Sequence, residues 1–231
     1  MSELYLSGEY IEKNPTLHVE DSAWKTKHIV QMLQKHHLSP MTLCEIGCGA
    51  GEILRLLQLQ LPPETQLYGY EISRQAYELC KTRENDRLHF FCEDLLVHTI
   101  DIPYDLVLCM DVIEHVEDYM GFVRQLRSKG TYKLFHIPLE ISVQTVLRAS
   151  PILKGRHQYG HLHYFTRDTA LATLQDTGYE IVDWFYTPVN LDLAKTVKAK
   201  LAKLPRRLFS RLNFDLTTRI LGGYSLMVLT K

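Results

Sequence analysis

Short apolar runs alternate with amphipathic segments along most of the chain. The runs typical of strands begin at Leu43 and then cover residues 66–72, 88–95, 104–110, 132–137, 179–187 and 224–230. Between them, apolar residues recur at helical spacing, as in residues 53–61, 74–83 and 167–175. Alternation of strands and helices with short connections predicts a doubly wound, mostly parallel α/β sheet. The carboxyl edge of such a sheet is where ligands bind.

Three segments lie outside this alternation. We expect a single domain over residues 1–231, with residues 1–36 as an N-terminal segment and residues 188–222 as a helical insertion before the last strand. Asp21 or Ser22 is predicted to cap a helix that runs to His36. Residues 139–160, which contain Gly155 and Gly160, are predicted to form a flexible loop on the substrate side.

Composition and charge narrow the class of protein. The chain is 45% hydrophobic and 23% charged with a formal net charge of -1, so no global charge favours a nucleic-acid partner. No apolar run reaches the roughly 20 residues that span a bilayer, and residues 1–10 lack a basic stretch followed by an apolar one, so we expect a cytoplasmic protein. The five cysteines form no C-x-x-C pair and are expected to be reduced.

A glycine-rich turn follows the first strand. The strand end carries Glu45, and Gly47, Gly49 and Gly51 alternate before an amphipathic helix. Glycines permit positive φ and close approach of a ligand, and the helix N-terminus offers free N–H groups. The dinucleotide fingerprint would need a glycine at position 52, where Glu52 stands. The turn therefore predicts a cofactor other than NAD or FAD.

Two further strands also end in carboxylates. Glu71 lies about 20 residues beyond the glycine turn, the spacing at which an acidic residue meets ribose hydroxyls in nucleotide-binding α/β folds. Asp94 ends the next strand, and the apolar run that ends at Met110 is typical of a central strand buried on both faces.

Together with the pair Glu114-His115 after the fourth strand, these motifs resemble the class I S-adenosylmethionine-dependent methyltransferases over about residues 25–187. The O-methyltransferases of ubiquinone synthesis are similar in this respect. The resemblance implies a seven-stranded sheet whose last strand is antiparallel and an N-terminal segment that closes over the cofactor, with Tyr10, His18, Trp24 and Lys25 as lid candidates. It implies that S-adenosylmethionine is bound by Glu45, Gly47, Gly49, Gly51, Glu71, Ile72, Asp94, Leu95 and Met110.

The same resemblance implies acceptor-side chemistry. Glu114, His115 and His163 are the predicted catalytic residues. Some relatives hold a divalent metal through Glu-x-x-Glu-His and a later histidine. The corresponding set here is Asp111, Glu114, His115 and one of His161 or His163, which would hold Mg²⁺ or a softer ion. A metal-free general base at His115 or His163 is the alternative.

The predicted reaction is methyl transfer to a small molecule, with oxygen favoured as the acceptor atom. Methylation of an RNA 3′-terminal 2′-hydroxyl and cofactor binding without catalysis are the alternatives. Residues 191–211 combine apolar positions at helical spacing with seven basic residues. Such a helix either packs on the sheet or lies on anionic lipid, and lipid contact would favour a hydrophobic acceptor.

Overall fold

The computed structural model describes residues 8–97, 103–189, 193 and 203–231. Within these ranges seven strands form one sheet in the order β3-β2-β1-β4-β5-β7-β6. Strands β1 to β5 are parallel, and β7 runs antiparallel to both β5 and β6. The predicted doubly wound sheet with an antiparallel last strand is confirmed. The strands are β1 (Thr42–Ile46), β2 (Gln66–Tyr70), β3 (Leu88–Phe91), β4 (Tyr104–Met110), β5 (Gly130–Leu139), β6 (Ile181–Thr187) and β7 (Tyr224–Thr230).

Helices flank the sheet and follow most of its strands. Short 3₁₀ turns cover Ile113–His115 and Arg127–Lys129, and a π-helical turn covers Gly155–Tyr159. The described helices are α1 (Glu9–Lys13), α2 (Val19–Lys35), α3 (Glu52–Gln58), α4 (Arg74–Lys81), α5 (Tyr119–Leu126), α6 (Val143–Arg148), α7 (Ser150–Lys154), α8 (Arg167–Asp176), α9 (Lys203–Leu212) and α10 (Phe214–Leu221).

The core has one apolar layer on each face of the sheet. Successive residues of β4 alternate between them, with Leu106 and Leu108 in one layer and Val107 and Cys109 in the other. Burial on both faces explains why this strand reads as a continuous apolar run. The strand order reverses between β1 and β4, so the carboxyl ends of these two strands flank a crevice.

The segment 139–160 is helical, contrary to the predicted loop. Ser142 and Thr145 form a reciprocal capping box that starts α6, and Pro151 stands in the first turn of α7. The loop was predicted from the glycines near the end of the segment, without regard to these two helix-start signals.

Two element boundaries also differ from the sequence prediction. Helix α2 begins at Val19, so Asp21 and Ser22 lie in its first turn and do not cap it. Strand β5 continues through Pro138 to Leu139, because pairing with β4 ends at His136 and only β7 lies beside the strand there. A proline is tolerated where one side of a strand is open.

The predicted basic helix is described only in part. Residues 190–192 and 194–202 lie outside the described residues, and α9 begins at Lys203. Among the described helices, none is long and apolar enough to cross a membrane. The five cysteines are free, and four of them are buried.

Candidate active site

A cavity of about 410 Å³ opens at the carboxyl edge of the sheet, beside the ends of β1, β2 and β4. Its walls contain most of the residues that the sequence nominates, whereas Gly51 and His163 are absent from its lining. The nominated lining residues are Glu45, Gly47, Gly49, Glu71, Ile72, Asp94, Leu95, Met110, Asp111, Glu114, His115 and His161.

The glycine turn and Glu71 are joined by hydrogen bonds. The Gly49 N–H donates to Glu71 Oε2 at 2.8 Å, and the Ser73 N–H donates to Glu71 Oε1 at 2.8 Å. Gly49 has φ 54°, and no heavy atom of the described chain lies within 4 Å of the place where a Cβ would stand. Because Gly49 lines the cavity, that space is open to a ligand.

Gly51, unlike Gly49, is required for packing of the core. Its φ is +73°, and an added Cβ would lie 2.5 Å from Cζ of Phe90, which is part of the core. Glycine is therefore needed at this position whether or not a ligand is present.

Glu45 is a buried carboxylate at the end of β1. Its Oε2 has no hydrogen-bond partner in the described part of the chain. Burial raises the pKa of Glu45 to about 8, and the nearby positive charge of Lys25 only partly opposes this. A cation that enters the cavity would favour the ionised form.

Asp111 is held by other side chains. Lys25 Nζ lies 2.6 Å from its Oδ2, and His136 Nδ1 lies 2.5 Å from its Oδ1. Burial alone would raise the pKa of Asp111, but the charges of His136 and Lys25 lower it well below its usual range. Asp111 therefore fastens α2 to the end of β4, and its oxygens are already engaged.

Glu114, His115 and His161 come together in the wall of the cavity. One potential ligand atom from each lies within 4.8 Å of the others. Both Glu114 carboxylate oxygens are buried and lack hydrogen-bond partners within the described ranges. Burial and the charge of Asp111 raise the pKa of Glu114 well above its usual range. Burial and His161 lower the pKa of His115 to about 3, so its imidazole is neutral at physiological pH.

Glu140 orients His161, and the sequence analysis missed it. His161 Nδ1 donates to Glu140 Oε2 at 2.6 Å. An added Cβ on Gly155 would lie 3.0 Å from Glu140 Oε1 and 3.4 Å from His161 Nδ1, so Gly155 leaves room for the pair. In the sequence, the available signal for Glu140 was its position as the first residue after β5.

His161 and His163 occupy different environments. The Leu162 and His163 N–H groups both donate to the Glu114 carbonyl, at 2.7 and 3.1 Å, and this fixes the segment. The His163 side chain turns away, where its Nε2 donates to the Glu117 carbonyl at 3.1 Å and its ring packs on Tyr119. Of the two histidines left open by the sequence, His161 is the one beside Glu114 and His115.

The N-terminal helices cover the cavity from one side. The lid candidates Tyr10, His18, Trp24 and Lys25 all line it. Asn14 Nδ2 donates to the Gln158 carbonyl at 3.1 Å, and the His18 and Tyr159 rings meet edge to face at 5.5 Å. Residues 8–18 thus contact the π-helical turn across the cavity.

Comparisons with known proteins agree with the fold. Residues 20–183 match a family described as "Methyltransferase domain". The ubiquinone biosynthesis O-methyltransferase of Rickettsia bellii is 25% identical over 112 residues, which are 46% of this chain and 47% of that protein. The chain therefore matches about half the length of this relative.

Two solved structures share the fold. Magnesium protoporphyrin IX methyltransferase of Synechocystis, solved with bound SAH, superposes with a TM-score of 0.60 at 18% identity, over 90% of this chain and 81% of that one. The methyltransferase domain of the bacterial protein CtHen1-CN superposes with a TM-score of 0.58 at 16% identity, over 93% and 100%. The family match covers well over half of the sequence, and the sheet order is the one expected. The chain therefore belongs to the methyltransferase domain family, in the class I S-adenosylmethionine-dependent group.

Proposed function

We propose that this protein transfers the methyl group of S-adenosylmethionine to a hydroxyl oxygen of a small molecule. The observation that carries the proposal is Glu114, a buried carboxylate without hydrogen-bond partners in the described chain, grouped with two imidazoles at the cavity. A buried polar group left unpaired costs free energy, so such a group is retained where a ligand completes it.

The cofactor would lie along the ends of β1, β2 and β3. Glu71 would accept the ribose hydroxyls, Asp94 and Leu95 would bind the adenine, and Ile72 and Met110 would pack against it. Gly49 leaves open space for this, whereas an added Cβ on Gly47 would lie 3.0 Å from Val112 Cγ2 and Gly51 supports the turn. Glu45 would accept the ammonium group of the methionine part, because a cation compensates its unpaired buried oxygen. When bound, the cofactor supplies an already activated methyl group.

The acceptor would lie beside Glu114, His115 and His161. A carboxylate only accepts hydrogen bonds, so Glu140 fixes the proton on Nδ1 of His161 and leaves the Nε2 lone pair available. His161 Nε2 would then remove the proton of the acceptor hydroxyl while the hydroxyl oxygen attacks the methyl carbon, and the methyl–sulfur bond would break so that the sulfur leaves as a neutral thioether. The chain's remaining task is to align the two reactants and exclude water, and the N-terminal helices over the cavity fit that task.

A divalent cation is compatible with the same three residues. Two imidazoles and one carboxylate suit a divalent transition metal better than Mg²⁺, and the charge of a bound ion would favour the ionised form of Glu114, whose oxygens have no hydrogen-bond partner in the described chain. A bound ion would lower the pKa of the acceptor hydroxyl. Asp111 is excluded from our proposed ligand set because Lys25 and His136 already hold both of its oxygens.

Labelled cofactor tests the proposal. The protein would be incubated with S-adenosylmethionine labelled in the methyl group and with host metabolites, with and without prior ribonuclease digestion. We expect a labelled small molecule that is insensitive to ribonuclease and carries the label on oxygen. Label that is lost after ribonuclease would favour the RNA reaction, and tight cofactor binding without any product would favour a non-catalytic protein.

A further inference from the structure

Helices α6, α9 and α10 converge at one point of the fold. Gln144 Nε2 of α6 donates to the Leu221 carbonyl, and Arg206 of α9 donates to the carbonyls of Leu221 and Gly222. Leu221 ends α10, and β7 begins at Tyr224. Because β5 ends where β7 begins, the three helices stand at the same sheet edge as the cavity.

Each of these helices exposes apolar side chains at helical spacing. On α6 the exposed stripe follows positions i, i+3 and i+4, and on α9 and α10 it includes a pair at i and i+4. Leu147 is 81% exposed and Leu212 is 79% exposed. We call this surface the apolar–arginine face, and it consists of Val143, Val146, Leu147, Leu208, Phe209, Leu212, Leu216 and Ile220 together with Arg148, Arg207 and Arg211. Exposed apolar side chains gathered on adjoining helices are typical of an interaction site.

The charged residues of the apolar–arginine face are all arginines. Helices α6, α9 and α10 together carry six basic residues and one acidic residue, in a chain whose net charge is -1. The acidic residue nearby, Asp215 on α10, is paired with Arg167 at 2.6 Å and with Arg219 at 2.8 Å. The face is therefore positive as well as apolar.

We propose that the apolar–arginine face binds the surface of an anionic lipid bilayer. The leucine and phenylalanine side chains would enter the boundary between headgroups and acyl chains, while the arginines would extend to the phosphates. A polyanion such as RNA would leave the exposed leucines unexplained. A second copy would bring two positive faces together, which disfavours self-association through this surface.

Vesicle flotation with the full chain tests the proposal. Vesicles of phosphatidylcholine alone would be compared with vesicles of equal parts phosphatidylcholine and phosphatidylglycerol. We expect flotation with the anionic vesicles, weakened by salt, and little with the neutral ones. The double variant Leu147→Ser/Leu212→Ser should lower the partition coefficient about tenfold, because two leucines no longer enter the membrane. The variant Arg207→Glu/Arg211→Glu should lower it by about the same factor or more.

Leu59→Ser is the matched control. Leu59 is 72% exposed and follows α3, at the opposite end of that helix from the glycine turn. Its substitution should leave flotation unchanged, and all variants should keep the cofactor affinity of the parent protein. The proposal is overturned if the parent chain stays with the soluble fraction in the presence of anionic vesicles, which would leave the face to a protein partner. It is also overturned if the leucine variants float as well as the parent. This test needs no catalysis, so its outcome is independent of the proposed methyl transfer.

Discussion

The buried carboxylates on the glycine-turn side of the cavity and on its proposed acceptor side differ in their hydrogen bonding. Glu71 accepts hydrogen bonds from the Gly49 and Ser73 N–H groups. Glu114, which also lines the cavity, is equally buried and has no such partner in the described structure. The fold itself supplies hydrogen-bond donors to the first carboxylate, whereas the described part of the chain supplies none to the second.

Asp111 and Glu114 make the same contrast within one turn of the chain. The lysine and imidazole beside Asp111 lower its pKa, and burial with the Asp111 charge raises the pKa of Glu114. From their positions in the sequence alone, Asp111 and Glu114 would be interpreted as two equivalent acidic residues. Their surroundings separate them into a residue that fastens α2 and a residue whose oxygens have no hydrogen-bond partner in the described chain.

Gly49→Val should have the largest effect on the glycine-turn side. Gly49 has a φ of +54°, which a β-branched residue rarely adopts, and the new side chain would stand in the space proposed for the cofactor. We expect loss of detectable S-adenosylmethionine binding by calorimetry, with the far-ultraviolet circular dichroism retained. Cofactor affinity close to that of the parent would show that the ligand lies elsewhere.

Glu71→Ala should weaken cofactor binding by about 1–3 kcal/mol, because the ribose hydroxyls lose their acceptor and the turn loses two bonds. The same calorimetric titration measures it. Glu64→Ala, an exposed carboxylate before β2, is the control and should bind normally. If Glu71→Ala and its control gave equal affinities, Glu71 would have no place in the site.

Glu45 should couple cofactor binding to pH. Its pKa of about 8 in the free protein means that it is protonated at neutral pH. A bound ammonium group favours the carboxylate, so binding near pH 7 should release about one proton, and affinity should rise with pH until about 8. Calorimetry in buffers of different ionisation enthalpy counts the protons. Glu45→Gln should remove this release, and a count near zero in the parent protein would contradict the role.

Glu140→Gln should lower turnover about tenfold while cofactor affinity stays normal, because His161 loses the partner that fixes its tautomer. Gly155→Ala offers a milder change of the same pair, since its Cβ would press on Glu140 and His161. We expect a smaller loss, of a few fold, from that variant. Equal kcat values and equal pH profiles in all three proteins would make the Glu140–His161 bond merely structural.

Much of the fold follows from local pattern. The periodicity of the apolar residues, and the residues that interrupt it, located the seven strands. A parallel sheet buried on both faces leaves continuous apolar runs such as 104–110. Glycine spacing and the strand-end carboxylates likewise predicted most of the residues that line the glycine-turn side of the cavity, Gly51 being the exception. These features depend on residues close together in sequence.

The acceptor side could be predicted only in part. Glu114 and His115 are adjacent in sequence, but the choice between His161 and His163 depends on which way each side chain turns after the π-helical turn. The position of Glu140 directly after β5 was its one sequence signal, and its pairing with His161 was hidden because that partner lies 21 residues further along the chain. Contacts between side chains that are far apart in the sequence depend on how the elements pack, and the spacing of motifs does not reveal them.

The central claim is that Glu114, His115 and His161 receive the acceptor. The most direct measurement compares single-turnover methyl transfer by His161→Ala and His163→Ala, using the acceptor identified with labelled cofactor. We expect His161→Ala to lose about a hundredfold or more in rate at near-normal cofactor affinity, the usual scale for a lost proton acceptor. His163→Ala should stay near the parent rate, because its ring packs on Tyr119 outside the cavity lining. Full activity in His161→Ala, or an equal loss in His163→Ala, would contradict the account.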